Sequence, residues 1–514
     1  MKQYLLSIFL IALVALTGAC ATPDFNAPRV ESRALTDTDS TRLGKASKRL
    51  TTAHPGESAF LLQNDGIDAL ATRIHLSERA ERSIDAQYYL ISNDVTSALF
   101  LSALLSAADR GVRVRLLLDD VLTSGTDKGL SALDAHPNVE VRLFNPFVHR
   151  KWRIVDGLTG FRRVNRRMHN KSFTVDNQIT IIGGRNIGAE YFSAREDMNF
   201  GDLDVVGFGP VVQDVSQMFD RYWNDELAVP ASAVIDPPED PEAELEWAHE
   251  RIALAKEEVR STPYAEALTR NVEEVIALDE SDFNWAPWEL VYDDPEKART
   301  DELADEAASI RTPLIASLQT AREELIIVSP YFVPSKTMLK GIQDFIDRGI
   351  RITVVTNSLA ATNHPMVHSG YAPSRKPLLE MGVTLWEVKP DHHVSGTQES
   401  EVHDAIGALH TKGFIVDRKE LFVGSFNWDP RSAYINTELG VIIKSPEIAG
   451  DAADRSKLRL PKVAYRVILT EQGDLAWVEA AENKPIIYTK EPKTSWGRRF
   501  KVGLYGILPI KGQL

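Results

Sequence analysis

Two stretches of this chain repeat one pattern of reactive side chains. His169, Lys171 and Asp176 stand in the spacing H-x-K-x4-D, and His410, Lys412 and Asp417 stand in it again. Beyond each aspartate comes a small pair and an asparagine, Gly183-Gly184-x-Asn186 and then Gly424-Ser425-x-Asn427. A neutral imidazole can attack phosphorus, and an ammonium two residues on can neutralise phosphate oxygens. On an extended strand those two side chains share a face. A Gly-rich return would bring backbone amides and the Asn side chain to the same patch, as further donors to the equatorial oxygens. One such motif is weak evidence, because a His beside a Lys is more often surface decoration. Two copies inside an internal repeat are a strong signal. Gly184 stands where the second copy has Ser425, so the first site lacks one hydroxyl donor, which fits unequal roles for the two halves.

The elements that must position these residues are themselves duplicated. Ser83 to Leu90 resembles Leu325 to Val333, Arg110 to Leu116 resembles Arg348 to Val354, and Val139 to Phe144 resembles Val383 to Val388. The motif blocks His169 to Asn186 and His410 to Asn427 follow in the same order at nearly constant offset. Apolar β-branched runs such as Val112 to Leu118 and Ile350 to Val355 predict buried strands. The stretches Ser97 to Asp109 and Met338 to Asp347 predict helices that stop at Gly111 and Gly349. Alternating β and α elements imply a mixed or parallel sheet covered by helices. Two similar halves imply two such layers about a pseudo-twofold axis.

With its Gly and Asn residues, the doubled motif is the signature of the phospholipase D superfamily. RRMHNKSFTVD, IIGGRNIGAEYF, DLDVVGFGPVV, SPYFVP and VHSGYAPSRKPLLE are similar in detail to its bacterial cardiolipin synthases of the C type. The resemblance implies two phospholipase D-like α/β domains, residues 56–235 and 307–490, with one active site at their interface. It implies catalysis through a phosphohistidine, with no metal and no cofactor. His364 and His368 are four apart, but Pro365 argues against a helical ligand pair. Carried over, His169 attacks the phosphodiester and His410 protonates the leaving alcohol, although the symmetry of the motifs does not say which histidine is the nucleophile. Lys171, Lys412, Asn186 and Asn427 hold the phosphate oxygens. The motif counts Asp176 and Asp417 with the catalytic set; fixing strand and loop is the alternative. Asp202 and Glu438 precede Gly-Phe-Gly-Pro and Lys-Ser-Pro at the same distance. They are the candidates for orienting the imidazoles, since a buried acid fixes a histidine tautomer. His368, Tyr371 and Arg375 are expected to line the headgroup pocket, against the alternative of an ordinary surface loop. Phosphatidyl transfer between two phospholipids is the expected reaction. Hydrolysis, a nuclease and a non-catalytic lipid-binding protein are the alternatives. The expected partners are phosphatidylglycerol, with phosphatidylethanolamine as an option, and a membrane surface; no nucleic acid is expected, and the chain is expected to be monomeric.

Both ends bear on location. Met1 and Lys2 precede an apolar run, Leu5 to Leu16, and then Thr17-Gly18-Ala19-Cys20. This describes a signal peptide over residues 1–19 and resembles a bacterial lipobox with Cys20 as the lipidated residue; cleavage at Ala19-Cys20-Ala21 or an uncleaved anchor are the alternatives. An exported, lipid-anchored, periplasm-facing protein is expected. Residues 20–55 read as a tether. Residues 491–514 mix Trp, Phe, Tyr and Leu with Arg and Lys, which suits a bilayer interface or docking on the protein's own core. Gly497, Gly503 and Gly506 weaken the case for a regular helix there.

The chain has 514 residues and a formal charge of −15, with 43% apolar and 25% charged residues. That composition excludes a disordered or mainly membrane-embedded chain. The single cysteine excludes an internal disulfide framework and a cysteine-built zinc site. Residues 236–306 carry 23 acids against 6 bases, a charge of −17, which leaves +2 for everything else. This segment reads as a solvated linker, with a lid as the alternative, and Trp285 and Trp288 are placed in a loop. Arg150 to Met168 holds seven Lys or Arg against Asp156 alone. It reads as a basic approach to the site or as a partner of the acidic segment.

Overall fold

The computed structural model describes residues 23–260, 264–266, 268–270, 280–300, 308–391, 406–481, 484–508 and 511–513. The leader and Cys20 lie outside the described residues. Each half is built on a mixed sheet, nine-stranded in the first and ten-stranded in the second among those residues. In the first sheet, Ser83–Tyr88, Arg113–Asp119 and Val139–Phe144 run parallel as adjacent strands. Glu324–Val328, Arg351–Asn357 and Thr384–Val388 repeat this in the second. The register repeats too, since Ile84 faces Val175 as Leu325 faces Val416. Leu116, Leu117 and Leu118 are all buried, as expected of strands covered on both faces.

The predicted helices form where the sequence signals lie. Val95–Asp109 starts at Asp94, whose carboxylate accepts from the Ser97 amide. Lys336–Asp347 starts at Ser335, whose hydroxyl accepts from Met338. Past their ends, Gly111 and Gly349 take φ of +94° and +81°, a conformation that disfavours side chains. The two sheets meet through one apolar core. Phe60, Ile182 and Val205 of the first half share it with Ile326, Ile415 and Val441 of the second. Pro210–Trp223 and Pro446–Val463 are the helices at this core.

Four sequence expectations need correction. Residues 23–51 are not a tether but a strap on the first half. The buried guanidiniums of Arg115 and Arg142 need acceptors, and the carbonyls of Ser32 and Val30 supply them at 2.9 and 2.7 Å. Arg42–Thr51 of the same segment is a helix capped by Thr41. Trp285 and Trp288 lie on strands. Asn284–Ala286 extends the first sheet beside Ser58–Gln63, and Trp288–Tyr292 extends the second beside Leu439–Ile443. The acidic segment thus stitches the two sheets, while its helix Pro241–Val259 packs on Val95–Asp109 and Asp127–Asp134.

The basic run is also different from its reading. Arg150 pairs with Asp120 and Asp127, Arg153 donates to the Asp120 carbonyl, and Arg163 donates to Pro146. Arg166 donates to the Lys297 carbonyl and Arg167 to that of Asn145. These cations hold loops together inside the protein. What the run exposes is largely apolar: Trp152, Ile154, Leu158 and Phe161. Finally, Trp496–Tyr505 is a regular helix despite its glycines, capped by Ser495.

Candidate active site

Each motif histidine is delivered by a backbone pairing with the opposite half. Ile406–Leu409 runs parallel to Met198–Gly201, so His410 follows Leu409 just as Asp202 follows Gly201 across the pair. The His410 amide continues the ladder by donating to the Gly201 carbonyl at 2.7 Å. On the other side Met168 bridges Thr437, and the His169 amide donates to the Thr437 carbonyl at 2.9 Å. The residues after the bridge, His169 and Glu438, are neighbours for the same reason.

The acid and histidine pairs are therefore crossed. His169 Nδ1 lies 2.8 Å from Glu438 Oε2, and His410 Nδ1 lies 2.5 Å from Asp202 Oδ2. All four are buried. Burial lowers His169 to about 4, with Lys171 adding to the effect and Glu438 opposing it. Burial and the adjacent Lys412 lower His410 to about 3 against the pull of Asp202. Burial alone would raise both acids, yet the facing histidines and lysines bring Asp202 and Glu438 below the usual carboxylate range. At neutral pH the site thus holds two carboxylates and two neutral imidazoles. Each imidazole donates from Nδ1 and keeps a lone pair on Nε2.

The lysines point into the same space. Lys171 Nζ donates to the His169 carbonyl at 2.5 Å and lies over the Tyr89 ring. Lys412 Nζ lies 2.8 and 3.1 Å from the two ring nitrogens of His410. Burial takes Lys412 down to about 8, against Asp202 and Glu438, and takes Lys171 well below the ordinary lysine value. An anion between the two ammonium groups would reverse that penalty. Asn186 donates to the Tyr191 hydroxyl at 2.8 Å. The amide oxygens of Asn186 and Asn427 are buried with no protein partner among the described residues. An amide oxygen accepts, so these two positions suit a hydroxyl or ammonium donor and not a phosphate oxygen.

Several expected residues are placed elsewhere in function. The Asp176 carboxylate accepts from the amides of Glu81, Arg82 and Ser83, and Asp417 accepts from those of Arg322, Glu323 and Glu324. Both aspartates lie past the far end of the strand that follows their histidine, with φ of +50° and +47°. They anchor the entering strands and do not belong to the catalytic set. Ser425 is not a phosphate donor, because its hydroxyl contacts Glu438 Oε2 at 2.5 Å and accepts from the Leu439 amide. Gly184 gives room instead of a donor: a Cβ there would lie 2.2 Å from Asp202 Oδ1.

His368, Tyr371 and Arg375 do not line a headgroup pocket. Arg375 and Tyr371 bind Glu387, Arg375 also binds Glu491, and the Trp477 indole donates to Glu387. Arg375 Nη2 lies 2.9 Å from His368 Nε2, closing a buried network that satisfies its own donors. The residues that do approach the histidines are aromatic. Tyr89 meets His169 edge-on at 4.9 Å, and Phe200 stacks on His410 at 5.1 Å. Tyr191 and Tyr331 meet the His410 ring edge-on, and His364 packs against Tyr331. Asp293 of the acidic segment was also unforeseen. It accepts from the Glu438 amide and from Lys297 Nζ, and its own amide donates to the Glu438 carbonyl, so it braces the Glu438 backbone.

Comparisons with known proteins identify the family. The family model described as "Cardiolipin synthase, PLD-like domain" matches residues 74–223 and 314–456, one match in each half. "Cardiolipin synthase C" of Escherichia coli is 40% identical over 91% of this chain and 99% of its own length. An uncharacterised Helicobacter pylori protein is 32% identical over 98% of this chain and 99% of its own. A phosphatidylserine synthase structure from Haemophilus influenzae shares the fold, with a TM-score of 0.54 at 13% identity over 82% of this chain and 91% of that one. Two phospholipase D-like halves, two buried acid and histidine pairs and relatives that align end to end lead to one conclusion: the chain belongs to the cardiolipin synthase family of phospholipase D-like proteins.

Proposed function

We propose that this enzyme transfers a phosphatidyl group to phosphatidylglycerol, forming cardiolipin through a phosphohistidine. The crossed pairing of His169 with Glu438 and His410 with Asp202 carries the reading. His169 Nε2 attacks the phosphorus of the donor lipid while Glu438 holds the Nδ1 proton and offsets the growing positive charge of the ring. Lys171 and Lys412 take the equatorial oxygens, where charge spreads in such a transition state. The bound anionic diester offsets Lys171 and Lys412, the cations that add to burial in holding His410 neutral in the free site, so His410 takes up a proton from solvent on Nε2 as the substrate binds and gives it to the leaving headgroup alcohol. A glycerol hydroxyl of phosphatidylglycerol then attacks the phosphohistidine. His410 takes its proton, the P–N bond breaks, and neutral His169 is restored. Phosphatidylglycerol or phosphatidylethanolamine serves as the donor, and the chain works as a monomer because both motifs lie in one polypeptide.

The test offers the purified protein phosphatidylglycerol alone, then with phosphatidylethanolamine, with products identified by mass spectrometry. Cardiolipin is expected. Phosphatidic acid accumulating without cardiolipin in either mixture sinks the transferase reading in favour of hydrolysis. His169→Ala should abolish both turnover and the acid-labile phospho-enzyme; a phospho-enzyme that persists assigns the nucleophile to His410.

The same proposal places the protein outside the cytoplasm, anchored through Cys20, on the strength of the leader. Among the described residues no helix is long and apolar enough to cross a membrane. Radiolabelled fatty acid should label the wild type and not Cys20→Ser; equal labelling of both would remove the anchor.

A further inference from the structure

Two exposed apolar ridges, one from each half, are tied by contacts to the segments that carry the histidines. The first leads into the first motif. Ile154 and Leu158 lie one turn apart on Arg153–Thr159, and Phe161 opens the next short helix, Phe161–Val164. Leu158 is 81% exposed and Trp152, just before the helix, 71%. The second is the C-terminal helix Trp496–Tyr505. Trp496, Phe500 and Leu504 lie four residues apart on one face, and Ile507 continues it at 79% exposure. The Trp496 and Phe500 rings stack on each other at 5.2 Å, and both are exposed.

The ridges belong to one region. The C-terminal helix packs on Pro365–Tyr371, and Arg498 donates to the Thr362 carbonyl. His364, at the N-terminus of Pro365–Tyr371, abuts Tyr331 beside His410. After the helix, Gln513 accepts from Asn165, four residues before His169, and Arg431 donates to Asn165 as well. The borders are cationic. Lys151, Arg162 and Lys501 are exposed, and no acid occurs from Lys493 to Leu514. Asp156, the one acid of the first ridge, is buried against His149.

A soluble protein gains nothing from eight large apolar side chains in water, and a contiguous patch of this kind marks a contact surface. Trp and Phe facing out beside Lys and Arg, on helices too short to span, suit the interface of an anionic bilayer. The geometry points to a two-ridged docking face that sets the protein on an anionic phospholipid bilayer, with the segment at residues 152–161 as the second foot beside the C-terminal helix. The inference rests on the phospholipid-transfer reading for its choice of occupant. It adds that both halves must touch the membrane for a lipid headgroup to reach the buried histidines.

The test compares the full-length mature protein, without its acyl anchor (Cys20→Ser), with the double variants Trp152→Glu/Leu158→Glu and Trp496→Glu/Phe500→Glu. Sedimentation with vesicles of phosphatidylglycerol mixed with phosphatidylcholine measures binding. Turnover is measured on those vesicles and on a short-chain phosphatidylglycerol dispersed as monomers. Each double variant should lower vesicle partitioning and vesicle turnover at least about 10-fold, since insertion scales with buried apolar area and attraction to anionic lipid. Turnover of the monomeric lipid should stay at the wild-type level, which also shows that the variants fold. Wild-type partitioning by the first-ridge variant overturns the two-footed face. A wild-type dimer that both variants dissociate, with vesicle binding unchanged, makes the face a contact between copies and overturns the proposal. Vesicle binding that both variants abolish in a protein that turns over no phospholipid would sink the transferase reading and leave the docking face standing.

Discussion

Replacing Glu438 by Gln tests the crossed pairing most directly. The side chain keeps its shape while the charge facing His169 is removed. Glu438 Oε2 lies 2.8 Å from His169 Nδ1, which puts the two charge centres about 4 Å apart once phosphorus bonds to Nε2 and the ring turns cationic. At an effective dielectric near 20, a carboxylate at that separation stabilises the cation by about 4 kcal/mol. Lost from the transition state, about 4 kcal/mol is a factor of about 10³ in rate. The amide adds a second obstacle, because an NH2 turned toward Nδ1 favours the tautomer whose Nε2 carries the proton and cannot attack. The assay follows cardiolipin formation together with the acid-quenched phospho-enzyme, with thermal unfolding as the check on folding. Both chemical readouts should fall about 10³-fold while the unfolding midpoint stays near wild type. A variant that forms phospho-enzyme within about tenfold of the wild-type rate refutes the claim that an acid from the second half activates the histidine of the first.

Lys412 predicts opposite pH trends for activity and stability. With its ammonium held near 8 by burial, kcat/KM for an anionic diester should drop about tenfold per pH unit above about 8, and Lys412→Arg should remove that limb. A wild-type profile flat to about pH 10 contradicts the assignment. Because the folded chain releases this proton before the unfolded one, the Lys412 contribution to stability should rise between about pH 8 and the ordinary lysine value of 10.5; chemical denaturation across that window checks the sign. Asp176→Asn should lower unfolding free energy by about 2–3 kcal/mol through its three backbone amides while kcat per folded molecule stays within about twofold, and a dead but fully stable variant would return Asp176 to the catalytic set. Gly184→Ala should push Asp202 off His410 and slow turnover about 10²-fold, whereas undiminished rates would show that the carboxylate has room to spare.

The doubled H-x-K spacing and the repeat were enough to find the two halves and to name the residues that the fold gathers at its centre. Asp202 and Glu438 could be picked out because each precedes a matched Gly-Pro or Ser-Pro turn. Their partners could not, since equivalent positions in a repeat do not say which half a side chain faces. That is decided by the parallel pairing of Ile406–Leu409 with Met198–Gly201, a tertiary contact with no local signature. Tyr89, Phe200 and Tyr331 look in sequence like any core aromatics. The basic run before His169 misled because Arg counts in sequence as surface charge. Here the buried acid Asp120 and several main-chain carbonyls draw those guanidiniums inward, leaving the apolar side chains outside. His368, Tyr371 and Arg375 misled in the same way: chemistry-bearing residues also close networks inside a core, as they do around Glu387.

The crossing of acids and histidines also governs what an incomplete chain can do. Synthesis runs from the amino terminus, so the strands of the first half exist before Glu438 has been polymerised, and His169 then has no carboxylate to hold its tautomer. His410, made later, finds Asp202 only when the halves close on each other. A truncated or half-folded product therefore holds neither acid–histidine pair. For an enzyme whose unfinished form could otherwise release phosphatidic acid from whatever membrane it touched, the interlock keeps the chemistry off until the last motif has docked.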